Sequence, residues 1–122
     1  MGIVGMGIDL VDVARFQQAA TRWGNRFLVR LFTPDELAYA NQHRFPMPHL
    51  AARFAAKEAL VKALGAPKGL GLEWQDVSIL RNDAGKPQVR LKGTMQRWAH
   101  LRVHLSLTHT NRHAIATALV TE

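Results

Sequence analysis

The sequence predicts an α+β fold, in which a mainly antiparallel sheet packs against one long central helix. Residues 49–64 form an uninterrupted helical pattern that ends at Gly65 and Pro67. The second half of the chain alternates like strands joined by short turns. No repeat, low-complexity tract or linker interrupts the 122 residues, so we expect one domain spanning residues 1–122.

The N-terminal segment 3–11 is predicted to be a strand with two unlike faces. One face carries the apolar side chains of Val4, Met6, Ile8 and Leu10. The other face carries Gly5, Gly7 and Asp9. Two glycines beside an acid predict an open shelf next to the Asp9 carboxylate. The glycines lack the G-x-G-x-x-G spacing and lie inside a strand, so a dinucleotide-binding turn is not expected.

Residues 12–31 are predicted to be helical, with Gly24 as the point at which two helices meet. The apolar stripe consists of Phe16, Ala20, Trp23, Phe27 and Leu31. An arginine stripe beside it consists of Arg15, Arg22, Arg26 and Arg30. Thr33 and Glu36 then have the spacing of a capping box, with a proline between them at the first helical position.

The Pro-rich segment 45–48 is expected to separate that third helix from the helix 49–64. Small residues at helical spacing on the long helix should allow close packing; they are Ala52, Ala56, Ala59 and Ala63. A glycine-rich loop, 65–71, follows. Beyond it we expect strands at 74–80, 87–91, 102–109 and 113–120, a turn at 82–85, and a short helix at 93–101. His104, Ser106 and Thr108 should share one strand face.

Composition and charge restrict the class of protein. Lys and Arg number 16 against 9 Asp and Glu, and the net charge of +7 favours an anionic partner. The chain has no cysteine, which excludes a disulfide framework, a thiolate zinc site and a thiol nucleophile. Without a basic N-terminal segment or an apolar run near the ~20 residues of a membrane span, we expect a cytoplasmic protein with no membrane partner.

Glu58 and Lys62 are the most informative charged residues, because they are four apart on the long helix. One interpretation is a surface ion pair that stabilises the helix by ~0.3–0.5 kcal/mol. The other is a metal site, since an isolated carboxylate among alanines suits Mg²⁺, which takes one or two carboxylates plus phosphate oxygens and water.

Three segments resemble, in order and spacing, the signatures of the phosphopantetheinyl transferases. They are GIDLVDVARF (7–16), RFAAKEALVKALG (53–65) and HLSLTHT (104–110). The middle segment fits F-x-x-K-E-A-x-x-K-A without a departure. LFTPDE (31–36) and AGKP (84–87) extend the resemblance, and the short chain resembles the holo-acyl-carrier-protein synthase subfamily.

The resemblance implies the 4′-phosphopantetheinyl transferase fold and Mg²⁺-dependent transfer of 4′-phosphopantetheine from coenzyme A to a serine of acyl carrier protein. The other product is 3′,5′-ADP, and the reaction supports fatty acid biosynthesis. Asp9 and Glu58 are implied as the Mg²⁺ ligands, and Glu58 and Lys62 as the catalytic residues. The acceptor of the serine proton stays open among Glu58, Lys62 and a metal-bound water.

The residues assigned to coenzyme A are Arg53, Lys62, Gly65, Lys68, His104, Ser106 and Thr108. Gly65 and Lys68 are equally explained by an ordinary helix C-cap and turn, and the strand residues by a solvated edge strand. His104, Ser106 and Asp9 are not expected to form a hydrolase triad, because no nucleophile elbow surrounds the serine.

The arginine stripe matches the acidic surface of a carrier protein, so Arg15, Arg22 and Arg26 are predicted to bind that partner together with exposed parts of Phe16, Trp23 and Phe27. Asp35 and Glu36 match a family position, but the helix start already explains them.

The family also implies a homotrimer with active sites between subunits. The alternatives are a basic nucleic-acid-binding protein, which leaves Asp9, Glu58 and Lys62 unexplained, and an inactive coenzyme A-binding protein.

Overall fold

A three-stranded antiparallel sheet covered on one face by a long helix forms the centre of the molecule, seen in a computed structural model that describes residues 2–67 and 71–122. The helices are α1 (Val13–Trp23), α2 (Asn25–Leu31), α3 (Pro34–Asn41) and α4 (Pro46–Leu64). The strands are β1 (Ile3–Asp12), β2 (Val77–Arg81), β3 (Pro87–Leu91), β4 (Arg102–His109) and β5 (His113–Thr121). The sheet order is β1-β5-β4, and β2 and β3 form a separate hairpin. The predicted α+β class is confirmed.

Helix α4 lies against β1 at backbone contact. A Cβ atom added to Gly7 would lie 1.9 Å from the Ala59 carbonyl oxygen, and one added to Gly5 would lie 1.9 Å from the Ala63 carbonyl oxygen. Only glycine therefore allows this approach. The open shelf expected beside Asp9 is wrong, because the backbone of α4 fills that space. Ala59 and Ala63 of the alanine stripe make this contact.

Among the described residues, none covers the opposite face of the sheet at β1. Met6, Ile8 and Leu10 of β1 retain 71%, 57% and 63% of their accessible surface. These three residues lie beside Leu119, Thr117 and Ile115 of β5 in the antiparallel register. A row of large exposed apolar side chains on a sheet is an interaction surface rather than ordinary scatter.

Several element boundaries differ from those expected. Gly24, with φ of 70°, separates α1 from α2 as predicted. Helix α4 begins at Pro46, within the segment expected to separate two helices, because a proline fits the first turn. The strand expected from residue 74 begins at Val77 after a 3₁₀ turn (Trp74–Asp76), and residues 93–98 are 3₁₀ rather than α-helical. No helix within the described ranges is long and apolar enough to cross a bilayer.

Candidate active site

Asp9, Glu58 and Lys62 meet where β1 crosses α4. Asp9 is paired with Ala116 of β5, whose side chain is buried in the core, and this register places Asp9 on the face of the sheet that carries α4. The Lys62 Nζ atom donates to Asp9 Oδ1 at 3.1 Å and to the Ile8 carbonyl oxygen at 2.9 Å. Lys62 thus bridges to β1 instead of forming the Glu58 pair expected of a solvated helix.

Glu58 lies half-buried within the electrostatic reach of both other groups. Burial raises the pKa of its carboxyl group, the negative charge of Asp9 raises it further, and the Lys62 ammonium opposes the shift. Two carboxylates forced together in this way favour a cation between them. In the described part of the chain no group of three or more His, Cys, Asp or Glu could hold a metal. A pair of carboxylates with open positions fits Mg²⁺.

The polar residues of β4 lie on the other side of the sheet. His104, Ser106 and Thr108 pair with Leu119, Thr117 and Ile115 of β5, which alternate with the buried residues that contact α4. His104 Nε2 lies 3.2 Å from Thr121 Oγ1. Within one chain, the structure therefore does not bring these three residues together with Asp9 and Glu58.

His104 instead lines an open cleft of about 560 Å³ between β4 and the β2–β3 hairpin. Three cationic side chains line the same cleft; they are Lys86, Arg90 and Arg102. The cleft residues from the hairpin were missed as candidates, although Lys86 belongs to the AGKP segment that carries part of the resemblance. Their positive charge and the adjacent imidazole suit an anionic ligand.

Arg53 is buried, unlike Lys62 and the arginines of α1 and α2. Its guanidinium donates to the carbonyl oxygens of Ile79 and His49 and lies 4.1 Å from the ring centroid of Tyr39. Burial lowers the pKa of Arg53. Its assignment to coenzyme A stays a prediction. Gly65 is the left-handed C-cap of α4, and Lys68 lies outside the described residues.

Three imidazoles gather near Arg53 at the start of α4. His49 is stacked on His43 at 3.7 Å between ring centroids and meets His109 edge to face at 4.8 Å. Burial lowers the pKa of His49 to about 4, and the neighbouring His43, His109, Arg53 and Arg81 contribute in the same direction. His49 is consequently neutral at pH 7.

The arginines predicted to bind a carrier protein are all exposed: Arg15 and Arg22 on α1, and Arg26 on α2. Trp23 retains 60% of its surface, whereas Phe16 is buried in the core. The expectation that Phe16 presents an exposed part is wrong, because its ring packs against Phe27, Phe32 and Phe54. Trp23, Arg26 and Phe27 line a shallow groove on this side of the molecule.

Glu36 belongs to the core. Its Oε1 atom accepts from Thr33 N at 2.8 Å, and Thr33 Oγ1 accepts from Glu36 N, which completes the predicted capping box. Glu36 Oε2 accepts from Ile79 N at 2.9 Å. Asp35 lies exposed in the first turn of α3. The Glu36 carboxylate is thus occupied by core contacts, and the exclusion of Asp35 from the catalytic set stays a prediction.

The sequence pattern of the 4′-phosphopantetheinyl transferase superfamily matches residues 5–118. The chain belongs to this superfamily. It is 46% identical over 120 residues to the holo-[acyl-carrier-protein] synthase of Frankia alni, a match that covers 95% of each protein. The prediction of an enzyme of this superfamily, based on three short segments, is confirmed.

Solved structures of the superfamily share the fold over nearly the full length. The holo-[acyl-carrier-protein] synthase of Neisseria meningitidis superposes with a TM-score of 0.88 at 30% identity, covering 99% of this chain and 100% of that one. The enzyme of Bacillus anthracis, solved in complex with coenzyme A (3′,5′-ADP), gives a TM-score of 0.82 at 30% identity, with coverage of 98% and 97%.

Proposed function

We propose that this protein transfers 4′-phosphopantetheine from coenzyme A to a serine of an apo acyl carrier protein, releasing 3′,5′-ADP. The observation that carries the proposal is the junction of Asp9, Glu58 and Lys62, where two carboxylates and an ammonium come together. This junction lies where glycines let the backbones of β1 and α4 come into contact. Family membership supplies the reaction, and this junction supplies groups suited to a pyrophosphate and its metal.

Asp9 and Glu58 would hold Mg²⁺, which when bound neutralises charge on the pyrophosphate as the phosphoanhydride breaks. Lys62, whose side chain is half-exposed, is free to exchange its contact with Asp9 for a phosphate oxygen. An ammonium placed there would stabilise the negative charge that develops on the 5′-phosphate oxygen of the departing 3′,5′-ADP. Because two carboxylates supply only some of the oxygens that Mg²⁺ takes, the phosphates of coenzyme A would supply others.

We infer that the β4 residues proposed for coenzyme A act through a second copy of the chain. His104, Ser106 and Thr108 lie on the face of the sheet opposite Asp9, and that face also bears the uncovered apolar row of β1. In the proposed assembly a neighbouring protomer would cover this row, and the β4 residues of one copy would join the carboxylates of the next. We propose a homotrimer with active sites between subunits, in which the cationic cleft beside His104 receives the phosphorylated nucleotide.

The carrier protein is proposed to dock on the exposed face of α1 and α2. Arg15, Arg22 and Arg26 would attract an acidic partner, and Trp23 would provide an apolar anchor. The proposed reaction would serve fatty acid biosynthesis in the cytoplasm. We propose that residues 1–122 form the single domain that carries it out.

The proposal is tested by incubating the protein with coenzyme A, Mg²⁺ and an apo carrier protein, and measuring the intact mass of the carrier. We expect a gain of one phosphopantetheine that chelation of Mg²⁺ abolishes. Asp9→Ala and Glu58→Gln should lose most turnover while remaining folded, because each removes a charged ligand. Asp83→Ala, which removes an exposed carboxylate from the β2–β3 turn, is the matched control and should retain full activity. An unmodified carrier under these conditions would refute the proposal.

A further inference from the structure

Lys57 lies next to Glu58 in sequence, but its side chain leaves the helix about 100° further round and is buried in the core. Its side chain is fully buried, and its three ammonium protons all have acceptors. Nζ donates to Glu36 Oε1 at 2.7 Å, to the Leu31 carbonyl oxygen at 2.7 Å and to the Trp74 carbonyl oxygen at 3.0 Å. One ammonium thus joins α4 to the end of α2, the first turn of α3 and the 3₁₀ turn before β2.

A buried ion pair fills a protein core at a high cost in desolvation free energy. Taking an ammonium and a carboxylate out of water costs several kcal/mol per ion, and apolar side chains of similar volume often stabilise a protein as well or better. The contacts of Lys57 differ from apolar packing in being directional, because each acceptor must stand at hydrogen-bond distance from a single nitrogen. The Lys57–Glu36 pair therefore fixes the positions of the segments that it joins.

Helix α2 is the segment whose position depends most on these contacts. It carries Arg26 and has seven residues, too few to be stable alone. Its last carbonyl is held by Lys57, where a cation also complements the helix dipole. A second contact reinforces the first, since Gln75 Nε2 donates to the Val29 carbonyl oxygen of α2.

We propose that Lys57, assisted by Gln75, is a positioning residue that sets the carrier-docking helix α2 in register with Glu58 on α4. This inference rests on the proposed function. Lys57 and Glu58 are consecutive residues of one helix, so the same turn of α4 both anchors the docking surface and presents the metal-binding carboxylate. The serine of a bound carrier would then reach the pyrophosphate without a search among orientations of α2.

The decisive variant replaces both buried charges, Lys57→Met with Glu36→Gln, because removing Lys57 alone would leave an uncompensated carboxylate in the core. We expect this double variant to fold and to bind coenzyme A within about twofold of wild type, while its KM for carrier protein rises ~10-fold, because a loosened α2 must be ordered again each time the carrier binds. Gln75→Ala, at a partly buried position, should raise the KM for carrier ~3-fold by the same route. Gln96→Ala, at an exposed site away from α2, is the matched control and should change neither value.

Three measurements distinguish the outcomes. They are carrier modification by the wild type, coenzyme A affinity by calorimetry, and separate values of KM and kcat for the carrier protein. If the wild type modifies no carrier, the proposed function fails. If the wild type is active and a folded double variant keeps the wild-type KM, the inference is overturned. Should the double variant not fold, Gln75→Ala decides, and a wild-type KM there overturns the inference as well.

Discussion

Replacing Gly7 with alanine tests whether the contact between β1 and α4 organises the molecule. The new Cβ would lie 1.9 Å from the Ala59 carbonyl oxygen, against at least 3.4 Å in ordinary contact, so strand and helix must separate by 3.4 − 1.9 = 1.5 Å. Overpacking a core costs ~1–3 kcal/mol, and backbone atoms on α4 cannot rotate away, so we expect about 3 kcal/mol. With an unfolding entropy of roughly 0.26 kcal/mol/K for a chain of this length, the melting temperature should fall by about 12 °C.

The same displacement should also lower the rate of transfer. Asp9 follows Gly7 by two residues and would move relative to Glu58 and Lys62, and misplacement by about 1 Å can cost ~10²-fold in rate. Thermal unfolding followed by circular dichroism and the initial rate of carrier modification measure the two effects. Gly2→Ala is the control, because its Cβ would meet only the mobile end of the Glu122 side chain at 3.7 Å. A Gly7→Ala protein that melts within a few degrees of wild type would refute the reasoning.

Three further predictions concern charged groups. Lys62→Ala should lower turnover ~10²-fold but cost at most about 1 kcal/mol of stability, because a half-exposed pair contributes little to folding; a near-normal rate in the folded variant would return Lys62 to a structural role. Arg22→Glu should raise the KM for carrier but not for coenzyme A, with a smaller effect at high salt, as steady-state kinetics at two ionic strengths will show. His49 has a pKa of about 4 when folded and 6.5 when unfolded, so the unfolded state binds more protons between those values and stability falls as the pH drops through that window. The full shift corresponds to roughly 3 kcal/mol, and solvent screening of a partly exposed ring reduces this to about 1–2 kcal/mol; denaturant titrations at pH 7 and pH 4 should show that His49→Gln lacks this part of the loss.

The pattern of the sequence predicted most of the helices and strands because each had a local cause. The Thr33 capping box, the Gly24 break and the alternation along β4 are all decided by residues within a few positions of one another. The start of α4 at Pro46 was missed because proline both ends helices and begins them, and the chain alone does not say which.

The arrangement of the site was harder to predict because it depends on contacts between segments far apart in sequence. Asp9 and Glu58 were both named, but the partner of Lys62 was not, since Asp9 is 53 residues away along the chain. The glycines of β1 indicated closeness without indicating whether a ligand or a helix approaches them. Nor could alternation within β4 reveal that its polar face lies across the sheet from the carboxylates.

The opposite-face placement of Asp9 and His104 has a genetic consequence. If each active site joins the carboxylates of one chain to the β4 residues of its neighbour, a defect in Asp9 and a defect in His104 damage different halves of the same centre. Two inactive chains, Asp9→Ala and His104→Ala, would then restore some function when produced together, because mixed assemblies contain junctions where both halves are intact. Two defects on the same side of the sheet, such as Asp9→Ala and Glu58→Gln, would fail to complement each other.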